Sequence, residues 1–269
     1  MTDSIAQTLW QARIPVVIRH ASLSSPSAVP LVTSVPRFSY LAQLQPRLSL
    51  FFAGAACTSF YFEEVQLRNL PVGLLVDLYR PRLPWQLVVG DGVAWDIGDT
   101  FLNSVKEADF VRNGNANQIM KMSKEHTTQL WESVVDNDYA AFSKINSRLL
   151  NAPTALKNVP LRVYIPWGPT IASQAPPLSS LPVESASFKV IQALVTPAAP
   201  HGKPKLLGQT LRDLMPKLFP SSKDAVLASA VMHGAPVPLT APIEELMKEA
   251  AYPDGWLSLV VVVAAGVEG

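Results

Sequence analysis

The spacing of apolar positions along this chain changes twice. Short apolar runs broken by prolines fill the first ninety residues, a helical period takes over from about residue 100 to 150, and short runs then return. The opening residues form a short amphipathic helix, with Asp3 or Ser4 as its cap and Ile5, Leu9 and Trp10 as its apolar flank. Residues 13–19 read as a strand with Pro15 at its start or on an edge. A Ser/Pro-rich hairpin leads to the returning strand at 31–35. Beyond Pro36-Arg37-Phe38-Ser39-Tyr40-Leu41 a helix begins, with Pro46 in its first turn and Leu48, Phe51 and Phe52 as its buried face. Phe60-Tyr61-Phe62 is aromatic and strand-like. Residues 71–78 fit a short helix or another strand, and so brief an apolar run does not decide between them. A strand at 85–89 closes the region before Gly90-Asp91-Gly92. Strand, strand, helix, strand, short element, strand is the order of a ubiquitin-like β-grasp.

In the helical stretch, Phe101, Leu102, Val105, Ala108 and Val111 share one face of a first helix. Each residue advances about 100°, which leaves Lys106 about 130° from the centre of that face and pointing to solvent, with Phe110 one turn on. A solvated helix face accounts for such a lysine without further function. A second helix carries Ile119, Ser123, His126, Leu130 and Val134 along one face, flanked by Met122 and Trp131. A third is capped in the Asp136-Asn137-Asp138 cluster, carries Tyr139, Phe142, Ile145 and Leu149 at helical spacing, and stops at Asn151 and Pro153. Helices of this length must pack on one another or on a sheet.

The last region repeats the first pattern. Strands are expected at 161–165 and 188–195, on either side of a long Pro/Ser/Ala-rich loop at 166–182. A helix opens with Thr210 as cap and Asp213 at its third position. A strand at 225–232 turns at His233-Gly234, and Ile243, Leu246 and Met247 mark a short helix closed by Tyr252-Pro253-Asp254-Gly255. The run 256–263 is a fully buried final strand. The fold class is therefore α+β, with two ubiquitin-like β-grasp domains flanking a helix-rich domain. The expected bounds are 1–12 for the N-terminal helix, 13–98 and 158–266 for the β-grasp domains, and 99–153 for the helices.

Charge adds little to this picture: Lys+Arg 22 against Asp+Glu 21 offers no clustered positive surface for nucleic acid. One cysteine, Cys57, excludes an internal disulfide and fits a reducing compartment. Met-Thr-Asp-Ser lacks the basic start of a secretory signal, and the most apolar run, 256–265, is about half the ~20 residues of a membrane span. A soluble intracellular protein is expected.

Catalytic chemistry finds no foothold. Cys57 has no histidine or acid near it in sequence and reads as a buried structural thiol. His20, His126, His201 and His233 lack metal-ligand spacing, and His126 reads as a core histidine. Gly73, Gly90 and Gly92 lack the spacing and following lysine of a phosphate loop, and Gly92 and Gly98 open no dinucleotide-binding helix. No catalytic residue, metal or cofactor is expected, and the chain reads as a set of binding surfaces.

Taken in order, the pieces resemble the autophagy protein 5 family. They are Arg13-Ile14-Pro15, the Pro36 to Leu41 hexapeptide, Pro71-Val72-Gly73-Leu74-Leu75-Val76-Asp77-Leu78 and Leu83-Pro84-Trp85. Val105-Lys106-Glu107-Ala108-Asp109, Gln129-Leu130-Trp131, Pro160-Leu161-Arg162-Val163-Tyr164, Val231-Met232-His233-Gly234 and Tyr252-Pro253-Asp254 continue the series. Each is short; their order along almost the whole chain is what is specific. The resemblance implies that Lys106 receives the C-terminal glycine of the ubiquitin-like autophagy protein 12 through an isopeptide bond. It further implies binding of the N-terminal helix of autophagy protein 16, contact with the E2-like conjugating enzymes, and an E3-like role in lipidation of autophagy protein 8 at the forming autophagosome. The chain would then be cytoplasmic and recruited peripherally to the pre-autophagosomal membrane. For the partner helix, Arg37, Tyr40, Pro71, Val72, Gly73, Leu74 and Leu75 are candidate contacts, and Phe110 is one for the attached modifier. A lysine side chain free in water is only about 0.04% neutral at pH 7, so the chemistry lies with the conjugating enzyme and this chain supplies access and placement. The alternatives are a donor modifier ending at Gly269, a thiol enzyme using Cys57, and a non-conjugated ubiquitin-like interaction module.

Overall fold

The computed structural model describes residues 4–23, 29–93, 96–151, 155–167 and 187–264. Its first helix, α1 (Ile5–Gln11), is capped by Ser4, whose hydroxyl accepts from the Gln7 amide at 3.2 Å. Asp3 and Pro153 lie outside the described residues. Seven residues are too few for a stable isolated helix, so α1 depends on what it packs against. Trp10 supplies that contact, buried against Phe38, Tyr139 and Phe142, whereas Ile5 is exposed and drops out of the expected apolar flank.

The first sheet comprises β1 (Arg13–His20), β2 (Leu31–Pro36), β3 (Ser59–Phe62), β4 (Val65–Gln66) and β5 (Trp85–Gly90), in the order β2-β1-β5-β3-β4. Only β1 and β5 run parallel. Pairing to β5 starts at Val16, so Pro15 sits where the strand is paired on the β2 side alone, a place that tolerates its missing N–H. A 3₁₀ turn (Leu41–Leu44) leads into α2 (Gln45–Phe51). Leu48 and Phe52 are buried as expected but Phe51 is exposed: side chains one position apart point about 100° apart, and only Phe52 turns inward.

The undecided run at 71–78 is helix α3 (Val72–Tyr79), ended by Arg80 in the left-handed conformation at φ 48°. It shows no helical period because it is wedged between its own domain and the outer face of the second sheet, so Val72, Gly73, Leu74, Leu75, Leu78 and Tyr79 are all buried. That second sheet repeats the first. β6 (Val159–Trp167), β7 (Ser187–Val195), β8 (Ala228–Met232), β9 (Ala235–Pro236) and β10 (Leu257–Val263) lie in the order β7-β6-β10-β8-β9, with β6 and β10 parallel. β6 continues through Pro166 and Trp167, two residues into the expected loop, because both still pair with β7. The rest of that loop lies outside the described residues. β8 starts at Ala228 and not at 225, and β10 is buried only as far as Val261, with Val263 exposed. In α8 (Leu207–Leu214) Thr210 is a buried interior residue. The start is set instead by Gln209, whose side-chain oxygen accepts from the Leu206 amide at 3.1 Å. α9 (Ile243–Ala250) completes the domain by burying Ile243 and Met247.

Between the sheets lie α4 (Ile97–Asn113), α5 (Asn117–Met120), α6 (Lys124–Val135) and α7 (Tyr139–Leu150). The expected second helix is two. Ser123 caps α6 by accepting from the His126 amide at 3.3 Å, which puts His126 in the first turn of α6, half-buried against Arg148 and not in the core, while Ile119 belongs to α5. Asp138 caps α7, accepting from the Ala141 amide at 3.0 Å, and Phe142, Ile145 and Leu149 are buried. The class is α+β, two β-grasp sheets flanking a helical domain.

Candidate functional site

α4 is held from three directions. At its start the Asp96 carboxylate accepts from the Asp99 amide at 3.0 Å, and at its end Gly114 takes φ 72°, which suits glycine. Midway, Ser104 is clamped to the second β-grasp domain. Its hydroxyl donates to Asp254 at 2.8 Å, its carbonyl accepts from the Trp256 ring N–H at 3.1 Å, and the Arg162 guanidinium donates to its hydroxyl at 3.0 Å. Arg162 also stacks 3.9 Å above the Trp256 ring. One turn on, buried Asp109 accepts from Asn113 at 2.7 Å and from the Ile119 amide at 3.0 Å, which fastens α5 to α4. Arg112 lies buried beside the Tyr252-Pro253-Asp254-Gly255 turn. Burial disfavours its charge, and Asp109 and Asp254 oppose that. Gly255 has φ 85°, a conformation that favours glycine, and a Cβ there would come 2.9 Å from an Arg112 nitrogen.

The remaining face of α4 is free and carries Lys106 and Phe110, the latter 57% exposed. The Lys106 amine donates to the Asn103 side-chain oxygen at 3.3 Å. The neighbouring acids are turned elsewhere, Glu107 to Arg162 at 2.7 Å and Asp109 inward, and among the described residues no carboxylate pairs with this amine. Lys106 is also the first lysine of the chain. The basic residues before it, Arg13, Arg19, Arg37, Arg47, Arg68, Arg80 and Arg82, are all arginines, which stay protonated and are not acyl acceptors at neutral pH.

The candidate partner-helix contacts lie elsewhere and inside. Arg37 is buried and forms an ion pair with Asp77 at 2.5 Å, and its Nε donates to His233 Nδ1 of the second domain at 3.4 Å. His233 Nε2 in turn donates to the Ala250 carbonyl at 2.8 Å, and its ring packs against Phe38 and Tyr252. Burial holds its pKa at about 4, with the Ala250 contact raising it and Arg37 lowering it. Burial likewise pushes the Asp77 carboxyl up, against the pull of Arg37. Tyr40 is buried and bridges Pro71, the Val72 amide donates to the Ser39 carbonyl at 2.8 Å, and the Gly73 amide donates to the Arg37 carbonyl at 2.8 Å. Leu74 and Leu75 are core. Arg37, Tyr40, Pro71, Val72, Gly73, Leu74 and Leu75 thus join the two β-grasp domains and present no open face, because α3 is covered on both sides.

An open surface does exist nearby. Arg68 and Leu70 from the first domain and Arg162, Tyr164, Phe188, Val190 and Gln192 from the second line a groove of about 410 Å³, with the Arg68 guanidinium 4.6 Å above the Phe188 ring. Sequence reading passed over it, although the alternation Phe188, Val190, Gln192, Leu194 along one side of β7 was the signal available. Other candidates carry no site. Cys57 is buried, its thiol donates to the Ala55 carbonyl at 3.3 Å, and burial raises its pKa away from the reactive thiolate. Among the described residues no group of three metal-binding side chains forms, and no helix is long and apolar enough to cross a membrane.

Comparison with known proteins agrees with this architecture. Residues 9–90 match the family model described as Autophagy protein ATG5, UblA domain, residues 96–152 its alpha-helical bundle region, and residues 158–261 its UblB domain. The chain is similar to Autophagy-related protein 5 of Gibberella zeae, 62% identical over 98% of this chain and 100% of the relative. It is similar to that of Neurospora crassa, 58% identical over 97% of this chain and 72% of the relative. It is also similar to Autophagy protein 5 of Aspergillus clavatus, 38% identical over 96% and 97%. The crystal structure of Kluyveromyces marxianus Atg5 superposes with a TM-score of 0.74 at 20% identity, covering 96% of this chain and 99% of that one, a likeness of fold. The chain belongs to the autophagy protein 5 family, autophagy components in which two ubiquitin-like domains flank a helical bundle.

Proposed function

We propose that this protein is a scaffold that accepts autophagy protein 12 on Lys106 and, with autophagy protein 16, acts as an E3-like factor in lipidation of autophagy protein 8. The observation that carries the reading is the amine itself: exposed, free of a carboxylate, on a helix fastened at both ends and in the middle. In the transfer step the neutral Nζ attacks the carbonyl carbon of the modifier's C-terminal glycine, held as a thioester on the E2-like enzyme. The C–N bond forms, the C–S bond breaks, and the enzyme leaves as the thiol with the proton the amine gives up. The protein contributes placement and no catalytic residue. Phe110, one turn beyond Lys106, is an apolar contact for the attached modifier.

The autophagy protein 16 helix docks by its apolar face into the groove between the domains, where Leu70, Tyr164, Phe188 and Val190 supply apolar surface and Arg68 and Arg162 supply charge. The assembled conjugate works in the cytoplasm and is recruited peripherally to the pre-autophagosomal membrane, where it promotes transfer of autophagy protein 8 to phosphatidylethanolamine. Incubating the chain with the conjugating enzymes and autophagy protein 12 should yield a species heavier by one modifier on a denaturing gel. Lys106→Arg should abolish it, and a heavy species that persists in that variant would refute the site.

A further inference from the structure

The amine of Lys106 is tethered back along its helix. In an α-helix the Cα–Cβ bonds tilt toward the N-terminus, so a long side chain covers the turn before its own. Lys106 follows that rule: its Nζ donates to Asn103 Oδ1 at 3.3 Å, one turn back and on the side away from Phe110. Both residues are exposed. The chemistry of this neighbour bears on the transfer step. A carboxylate in its place would hold the amine as an ammonium ion, which has no lone pair to attack a thioester. An amide oxygen accepts an N–H from the ammonium and from the neutral amine alike.

The acids around α4 are kept off this spot. Asp99 shares the face but lies two turns back, about 10 Å along the axis and about a Debye length away in physiological salt. Glu107 is drawn to Arg162 of the second β-grasp domain at 2.7 Å, and Asp254 of the same domain accepts from the Ser104 hydroxyl at 2.8 Å. Asp109 is turned inward to Asn113 and the Ile119 amide. An uncharged acceptor is left within reach of the amine.

We infer that Asn103 is a positioning residue for the acceptor: its side-chain oxygen holds one N–H of the Lys106 amine over the exposed face of α4, so that the lone pair is presented to the thioester, and it does so without a charge that would keep the amine protonated. The inference rests on Lys106 as the acceptor and adds the group that aims it. Asn103 takes no proton, since an amide oxygen is not a base at neutral pH. The C–N bond forms and the C–S bond breaks as before, and the proton leaves with the enzyme's thiol. What Asn103 removes is freedom. A lysine stem is among the most rotamer-rich of side chains, and one tether at its end confines the amine before the conjugating enzyme arrives.

Two rates on the full chain test this. One is single-turnover transfer of autophagy protein 12 from the pre-charged E2-like enzyme. The other is acetylation of Lys106 by N-acetoxysuccinimide, read by mass spectrometry from pH 7 to about 11, which reports on the amine without any enzyme. Asn103→Ala should transfer about two- to tenfold more slowly, the worth of one hydrogen bond, while acetylating within about twofold of wild type. Its circular dichroism should be unchanged, because alanine favours helix and the site is exposed. Asn103→Asp should slow both reactions about two- to fivefold at pH 7, as an exposed ion pair does, and its acetylation should regain the wild-type rate near pH 11, where the amine is neutral in both proteins. A merely structural role would move neither the split between the two rates nor the pH dependence. Asn103→Ala transferring at the wild-type rate, an equal loss of both rates in that variant, or Asn103→Asp transferring at the wild-type rate at pH 7 overturns the assignment. A heavy species that persists in Lys106→Arg overturns the acceptor and this inference with it. It is told apart from failure of Asn103 alone, in which Lys106→Arg still yields no conjugate.

Discussion

Lowering the pH from 7 to 5 should remove about 2 kcal/mol of stability through His233 alone. In the folded protein its ring is neutral: Nε2–H donates to Ala250, and Nδ1 accepts from the Arg37 guanidinium. A second proton on Nδ1 would face that guanidinium, beside Phe38 and Tyr252, with no acceptor to take it. The unfolded ring titrates near 6.5 and the folded one near 4. The contribution is therefore fully present above pH 6.5 and lost as the pH falls toward 4. A gap of about 2.5 units at 1.36 kcal/mol each reaches roughly 3 kcal/mol in the limit, of which about 2 is lost by pH 5. The assay is urea unfolding at pH 7, 6 and 5 of the wild type and of His233→Asn. Asparagine tolerates the left-handed φ of 54° at this position and does not titrate. Asp77 shares Arg37 with His233, so the same comparison is repeated with Asp77→Asn in both proteins, whereas Asp254, whose carboxyl burial pushes upward, is present in both and cancels in the difference. The wild type should lose about 2 kcal/mol more than the variant between pH 7 and 5. Equal losses would refute this account of the buried ring.

Four further outcomes are expected. Gly208→Ala should destabilise by about 2 kcal/mol or more in urea, since its Cβ would overlap the Ser222 carbonyl and backbone must move. Trp10→Ala should cost roughly 3–5 kcal/mol and make residues 4–11 the first site of limited proteolysis, because this side chain is the main tie of α1 to the helical domain. Asp109→Ala should release α5 and speed hydrogen exchange at Ile119, with the Lys106 conjugate forming more slowly on the loosened helix. Phe110→Ser should leave unfolding within about 0.5 kcal/mol of wild type, as an exposed side chain does.

The local grammar of the chain was readable where one element faces one core. Both β-grasp element orders follow from short apolar runs and their punctuation, and the solvent side of α4 follows from its period. What escaped is what only long-range packing creates. Residues 71–78 resisted assignment because α3 is buried on both sides, which erases the very contrast that periodicity needs. Thr210 looked like a cap because capping rules see hydroxyls, whereas Gln209 does the capping from inside the first turn. Arg37 and Tyr40 resembled a contact surface because an arginine and a tyrosine in a proline-flanked segment usually are exposed. Their partners, Asp77 and Pro71, lie over thirty positions away, and no spacing rule connects them. His126 shows the same limit from the other side, an apolar-face position on paper that the break at Ser123 turns into a half-buried place in a helix's first turn.

The wedge made by α3 makes the two domains unequal as binding surfaces. Duplicating a fold ordinarily duplicates its binding surfaces, but here α3 of the first domain lies on the outer face of the second sheet, where Tyr164, Ser258 and Val260 are buried. The equivalent face of the first sheet stays open, with Arg19, Val32, Gln86 and Val88 exposed. A ligand that reads the outside of a β-grasp sheet therefore finds β1 and β5 bare on the first sheet, while on the second α3 covers β8 and β10 and leaves only the β6–β7 side, the groove of Arg162, Tyr164, Phe188, Val190 and Gln192, so two domains of one topology present two different faces.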